Sequence, residues 1–112
     1  DNDMNNKFVS DYKAAHGAYP SFYAAQAYDT MMAIDHAVRE SGSTDAGAMR
    51  AVLAEGGIPT TRGTLAMNTN QFPIQNIYLR EVVLDADGVA TTKVIGTVFE
   101  DHSDAYASEC KF

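Results

Sequence analysis

The residues of this 112-residue chain that could carry out chemistry include one cysteine and three histidines. Cys110 could act as a nucleophile if the fold placed a histidine beside it as a base. No glycine pattern typical of an oxyanion hole flanks Cys110, and a residue so near a chain end is hard to hold rigidly. His16, His36 and His102 share no spacing typical of metal ligands. We therefore predict no catalytic residue, metal site or cofactor.

Acidic residues occur in two groups that could bind a metal or act as catalytic acids. Residues 85–88 resemble the start of a calcium-binding loop, but Gly96 occupies the twelfth position, where that loop needs a bidentate glutamate. We predict a hairpin turn here instead, because Asp-Gly supplies the positive φ of a tight turn. Asp29, Asp35 and Glu40 share one predicted helix, where carboxylates usually form the solvated face.

An aromatic cluster surrounds the start of that helix, and its members are Tyr19, Phe22, Tyr23 and Tyr28. The N-terminus of a helix suits a carboxylate, and aromatic side chains suit the apolar body of a ligand. Aromatic residues at helical spacing are more often core, and this interpretation is favoured for Phe22 and Tyr28. For Tyr23, in the first turn with a hydroxyl group to place, core packing and ligand contact stay equally open.

Three helices are predicted in the first half of the chain, from apolar residues at steps of three and four. The first helix is predicted to begin at Asp1, Asn2 or Asp3 and to end at Gly17. The second is predicted to begin at Ser21 and to end at residues 41–43. The third is predicted to begin at Ser43 or Thr44 and to end at residues 56–57. Apolar residues of the second helix occupy more than one stripe, which predicts burial around much of its circumference.

The second half of the chain predicts β-structure, with segments at residues 63–67, 74–84 and 89–99. Three helices and three or four strands do not provide a second layer that covers both the apolar helix and the sheet edges. The chain also begins without an initiator Met or signal peptide. We therefore expect an α/β chain that is part of a larger body.

Composition and charge restrict the partners. The 46% hydrophobic fraction is that of a globular protein. The net charge of −7 argues against nucleic acid or an anionic membrane as the main partner, since both require clustered positive charge. No apolar run reaches the roughly 20 residues of a membrane span. The single cysteine cannot form a disulfide within the chain.

An ordered series of motifs resembles the C-terminal third of periplasmic solute-binding proteins of the branched-chain amino acid ABC transporter family. The motifs are residues 6–13, 19–29, 62–65, 70–75 and 78–82, followed by residues 98–107 and Cys110. The closing segment resembles a subgroup associated with aromatic acids and related carboxylates. This series spans almost the whole chain and is more specific than any single motif.

The resemblance implies a fragment of a bilobal type I periplasmic binding protein, with three helices and then β-hairpin segments that cross the hinge. Residues 1–77 are expected in one lobe, and residues 78–112 in the hinge crossing and a terminal hairpin of the other, with the hinge at 78–83. Implied partners are a small-molecule ligand, an ABC permease and the remaining N-terminal part of the same protein. The resemblance also implies a periplasmic location and a disulfide between Cys110 and an upstream cysteine.

The implied function is capture of a small carboxylate-bearing solute, of amino acid or aromatic acid type, by hinge closure and without enzymatic chemistry. In the family an aromatic residue five positions before the tyrosine of the Tyr-Asp pair faces the cleft, and this spacing from Tyr28 identifies Tyr23. Phe22 and Gln26 are predicted to line the same wall. A sensory domain of the same fold is the alternative function, and a hydrolase that uses Cys110 is a more distant one.

Overall fold

The computed structural model describes residues 2–110, which form three helices followed by four strands and a short 3-10 helix. The elements are α1 (Asp3–His16), α2 (Phe22–Ser41), α3 (Ala46–Glu55), β1 (Ile58–Thr60), β2 (Gly63–Met67), β3 (Pro73–Leu84), β4 (Ala90–His102) and the 3-10 helix Ala107–Glu109. The predicted α/β composition is confirmed. No helix in this range combines the length and apolar character that a membrane span requires.

Local capping explains where the helices begin. The Asn2 side chain accepts a hydrogen bond from the Asn5 N–H at 2.9 Å, and the Ser21 hydroxyl accepts from the Ala24 N–H at 3.2 Å, as predicted. Asp1, the other candidate cap outside α1, lies outside the described residues. The predicted start of α3 is wrong, because the Asp45 carboxylate, 3.0 Å from the Ala48 N–H, is the cap.

At the C-terminal ends of α1 and α2, the residue that follows the helix is a glycine in the left-handed backbone conformation. Gly17 ends α1 with φ 67° and ψ 13°, as predicted, and its N–H donates to the Lys13 carbonyl. Gly42 ends α2 in the same conformation. The Ser21 cap positions the start of α2, whose first two turns carry the predicted ligand-contacting residues.

The strands form one antiparallel sheet in the order β1-β2-β3-β4. Strand β2 has the predicted bounds, β3 starts one residue earlier, and β4 starts one residue later and extends three residues further. Strand β1 was not predicted. It pairs with β2 through a tight turn in which the Thr60 hydroxyl donates to the Gly63 carbonyl at 2.7 Å.

The β3–β4 hairpin is the longest feature of the fold. Its turn at residues 85–88 is confirmed, with Gly88 at φ 78°. The pairing contains register breaks between residues 75 and 80, and Asp101, with φ 46°, lies opposite the first of them. The Asn76 side chain accepts a hydrogen bond from the Asp101 N–H at 2.9 Å, which satisfies the backbone group that the irregular pairing leaves free.

Buried apolar residues within 2–110 are few and lie between the helices and β1–β2: Phe8, Ala37, Ile58 and Leu65. The Phe8 ring stacks on Tyr28 at a centroid distance of 4.8 Å, which confirms the core interpretation of Tyr28. The predicted burial around much of α2 does not occur within these residues, since Met31 and Ile34 are exposed.

Candidate functional site

The predicted ligand-contacting residues lie on the first two turns of α2. The Phe22 and Tyr23 side chains are 69% and 81% exposed, and their rings meet edge to face with centroids 5.9 Å apart. Gln26 lies one turn further along the helix and is half-buried. We call these three residues the α2 N-terminal surface. The core interpretation of Phe22 is wrong for the described part of the chain.

Backbone donors and aromatic rings lie together on this surface. The first N–H groups of a helix have no partner within the helix. The Ser21 hydroxyl accepts a hydrogen bond from the Ala24 N–H, and the N–H groups of Phe22 and Tyr23 belong to the same first turn that carries the two rings. This N-terminus carries partial positive charge, and the arrangement suits a ligand with a carboxylate and an apolar body.

The α2 N-terminal surface borders two concave regions without being enclosed by either. A cavity of about 600 Å³ between α2, α3 and the β1–β2 hairpin is lined by Gln26 and by apolar residues such as Leu53 and Leu65. A wider space of about 1340 Å³ separates α1 and α2 from the β3–β4 hairpin and is lined by Gln26 and Phe22. Tyr23 lines neither. The three predicted residues therefore form an open wall.

Asp29 fixes the position of this wall, a role that the sequence analysis missed by assigning it to the solvated face of α2. Its side chain is 6% exposed, and its two oxygens accept hydrogen bonds from the N–H and hydroxyl of Thr61 at 2.7 and 3.0 Å. The Arg62 Nε is 3.5 Å from the same carboxylate. Asp29 thus ties α2 to the β1–β2 turn.

The surface interpretation is correct for the other two acidic residues of α2. Asp35 forms an exposed ion pair with Arg39 at 2.7 Å, one turn away, and Glu40 is exposed. One sequence pattern could have revealed the buried role of Asp29: it lies on the same helical stripe as Ala33 and Ala37. A carboxylate on an apolar stripe is expected to be buried and then needs polar partners.

A second polar cluster joins the end of α1 to the hairpin tip. The Tyr19 hydroxyl donates to Asp85 Oδ2 at 2.8 Å, and the Lys13 Nζ lies 3.3 Å from the same oxygen. Hydrogen bonds from the Val89 N–H, the Tyr19 hydroxyl, the Asp87 N–H and Lys13 lower the pKa of Asp85 from its ordinary 3.8 to about 2. Tyr19 therefore belongs to this cluster and not to the α2 N-terminal surface.

The cysteine and histidines occupy separate places. The exposed Cys110 Sγ lies 3.8 Å from the Tyr106 carbonyl oxygen. The rings of His16 and His102 pack against Tyr12 and Phe99, at centroid distances of 4.4 and 5.3 Å. Across residues 2–110, no group of three or more His, Cys, Asp or Glu side chains is arranged to hold a metal ion.

Comparison with known proteins gives consistent matches. The family described as periplasmic binding protein matches residues 1–89. The solute-binding protein of an ABC transporter from R. palustris, solved in complex with benzoate, is 29% identical, with a TM-score of 0.80 over 100% of this chain and 30% of that chain. A branched-chain amino acid ABC transporter protein from Rhodopseudomonas palustris is 22% identical, with a TM-score of 0.73 over 87% of this chain and 27% of its own.

A leucine-binding protein from Thermotoga maritima shares the fold at 23% identity, with a TM-score of 0.66 over 86% of this chain and 27% of its own. The comparison with curated proteins found no match. The chain therefore spans about 30% of the length of the benzoate-bound relative. That match over the whole described fold supports the predicted type I periplasmic binding protein architecture.

Proposed function

The chain belongs to the periplasmic binding protein family, and we propose that it forms part of the solute-binding component of an ABC importer. The observation that carries the proposal is the match along 100% of the chain to a solute-binding protein in complex with benzoate. The activity is binding: the solute stabilises a closed form because that form binds it better than the open one. The proposed location is the periplasm, and the proposed partner is an ABC permease.

The proposed solute is a small molecule with a carboxylate, such as an aromatic acid or an amino acid. The α2 N-terminal surface offers the recognition chemistry, because the first N–H groups of α2 and the exposed rings of Phe22 and Tyr23 belong to the same turn of the helix. Tyr23 is proposed as the main contact, with Phe22 and Gln26 beside it. Benzoate, the ligand of the 29% identical relative, combines the two features that such a surface selects.

The remaining wall of the binding site is proposed to come from another part of a longer protein, of which this chain is the C-terminal third. Two observations support this: the chain spans 30% of its relative, and the α2 N-terminal surface is open. Residues 1–77 are proposed to belong to one lobe and residues 78–112, of which 111 and 112 lie outside the described range, to the other. Hinge motion is proposed at residues 78–83. The exposed Cys110 is proposed to form a disulfide with a cysteine of the remaining part.

Titration calorimetry with benzoate and a panel of amino acids tests the function and the site together. In the longer protein of which this chain is proposed to form part, we expect a carboxylate solute to bind. We expect Tyr23→Ala in that protein to weaken binding by about 1 to 3 kcal/mol, because a central aromatic contact is lost. Tyr106→Ala removes another exposed tyrosine ring, 68% exposed against 81% for Tyr23, from the C-terminal segment and is the matched control. Failure of every carboxylate to bind contradicts the function, whereas equal affinities of Tyr23→Ala and Tyr106→Ala remove Tyr23 from the site.

A further inference from the structure

The tip of the β3–β4 hairpin is held more firmly than its strands. Long stretches of consecutive residues in both strands are exposed, and a two-stranded hairpin is marginally stable by itself. At the tip, in contrast, the Asp85 side chain is 14% exposed and faces Tyr19 and Lys13. The end of the hairpin furthest from its root is therefore the end that contacts the helices.

Within residues 2–110, the side-chain hydrogen bonds between this hairpin and the helical part of the chain, which here includes Lys13 of α1 and Tyr19 of the α1–α2 connection, all involve Asp85. At the root, Arg62 donates to Gln75 at 2.6 Å, but Arg62 lies in the turn between β1 and β2. The root and the tip are thus attached to different parts of the fold, with the space of about 1340 Å³ between hairpin and helices. The width of that space depends on the contact at the tip.

The two oxygens of Asp85 have separate roles. Oδ1 accepts the N–H groups of Asp87 and Val89 at 2.9 and 2.8 Å, which fixes the turn itself. Oδ2 accepts from Tyr19 and Lys13, which fixes the turn against the helices. Lys13 also lies 4.4 Å from the centre of the Tyr19 ring, so the three side chains contact one another and form a single unit.

We propose that Lys13, Tyr19 and Asp85 form a latch that sets the position of the β3–β4 hairpin relative to the helices. When the latch is broken, the hairpin moves about its root at Gln75, because the described residues provide no other side-chain hydrogen bond to the helices. This step rests on the proposed bilobal arrangement. In that arrangement the latch joins residues on either side of the hinge at 78–83. It then stabilises one relative position of the two lobes.

Distances between paired spin labels test the latch without any solute. Labels at Glu40→Cys, in α2, and Ala86→Cys, at the hairpin tip, are both at exposed positions, and Cys110→Ser removes the native thiol. We expect a narrow distance distribution in this background and a broader or shifted one in Tyr19→Phe and in Asp85→Asn. Tyr19→Phe removes the hydroxyl donor without touching the turn.

Asp87→Asn is the control, because it removes the same charge from the same turn at a side chain that is 80% exposed and 3.9 Å from Lys13. We expect it to leave the distribution unchanged. Unchanged distances in Tyr19→Phe contradict the latch. If Asp85→Asn changes the distances while Tyr19→Phe does not, the change comes from the turn that Asp85 also holds, and the latch is contradicted. If calorimetry finds no solute that binds, the proposed function is contradicted, but the measured distances still test the latch. Failure of the function and failure of the latch are therefore distinguishable.

Discussion

Asp29 shows how one buried carboxylate connects the predicted binding surface to the rest of the fold. Both of its oxygens are occupied by Thr61, itself buried, and the Arg62 guanidinium compensates part of the charge. A buried donor that loses its acceptor keeps the full cost of desolvation. The stability of α2 against the β1–β2 turn therefore depends on this residue more than on the exposed ion pairs.

We expect Asp29→Ala to lower the free energy of unfolding by about 1 to 3 kcal/mol, because the Thr61 N–H and hydroxyl are left without a partner. Asp35→Ala, which removes an exposed pair with Arg39 on the same helix, should cost no more than about 0.5 kcal/mol. Urea denaturation of both variants measures the difference. Equal losses contradict the buried role of Asp29.

The titration of Asp85 gives a second prediction for a single residue. Its pKa of about 2 lies below the ordinary 3.8, so the folded protein favours the charged form. The contribution of this carboxylate to stability is therefore present above about pH 4 and is lost as the pH falls towards 2. Carboxyl-carbon NMR should give this low midpoint in the native protein and a higher one in Tyr19→Phe. Equal midpoints in the native protein and in Tyr19→Phe contradict the contribution of the Tyr19 hydrogen bond.

At the scale of elements, the helices could be predicted because the signals at their ends are local. Ser21 and Gly17 act on backbone groups within four residues, and their types alone indicate what they do. Strand β1 could not be found this way, since three residues that include Pro59 have no periodicity of their own. It exists through pairing with β2, and such pairing is not written in the local pattern.

The candidate site also has parts that the sequence could predict and parts that it could not. The residue types favoured core packing for Phe22 and left Tyr23 open, and the family resemblance alone predicted a ligand contact at both. The structure adds that both side chains are exposed. The roles of Asp29 and Asp85 depend on partners 32 and 66 positions away in the chain. Spacing along the sequence could not reveal these contacts, because the fold alone brings the partners together.

The junction between α3 and β1 provides a prediction at this scale. Gly56 has φ 79° and ψ −148°, and a Cβ there would lie 3.2 Å from the Met67 backbone nitrogen. Gly57 also has positive φ, at 72°, but a Cβ there meets nothing within 4 Å. We expect Gly56→Ala to destabilise the protein by about 1 to 3 kcal/mol, and by more than Gly57→Ala, since crowding adds to backbone strain. Thermal unfolding compares the variants, and equal losses contradict the role of crowding.

At the scale of the whole molecule, apolar surface is distributed unusually for a soluble domain. Few apolar side chains are buried within residues 2–110, whereas Val82 and Leu84 of the hairpin are largely exposed, as are Phe22 and Met31 of α2. Exposed apolar side chains that lie close together, as Val82 and Leu84 do at alternate positions of β3, are typical of a region that contacts other protein. This is consistent with the proposal that the chain forms part of a longer bilobal protein.

The 112-residue chain studied alone should therefore self-associate through its hairpin. We expect sedimentation velocity to show an average mass that rises with concentration, because burial of exposed apolar area favours association. The double variant Val82→Thr with Leu84→Thr should weaken this association, since threonine is β-branched and suits a strand while it reduces the apolar area. Met31→Gln removes an exposed apolar side chain from α2 and should have a smaller effect. A chain that stays monomeric at all concentrations contradicts the need for a partner surface on the hairpin, and with it the argument that the rest of a longer protein covers the hairpin.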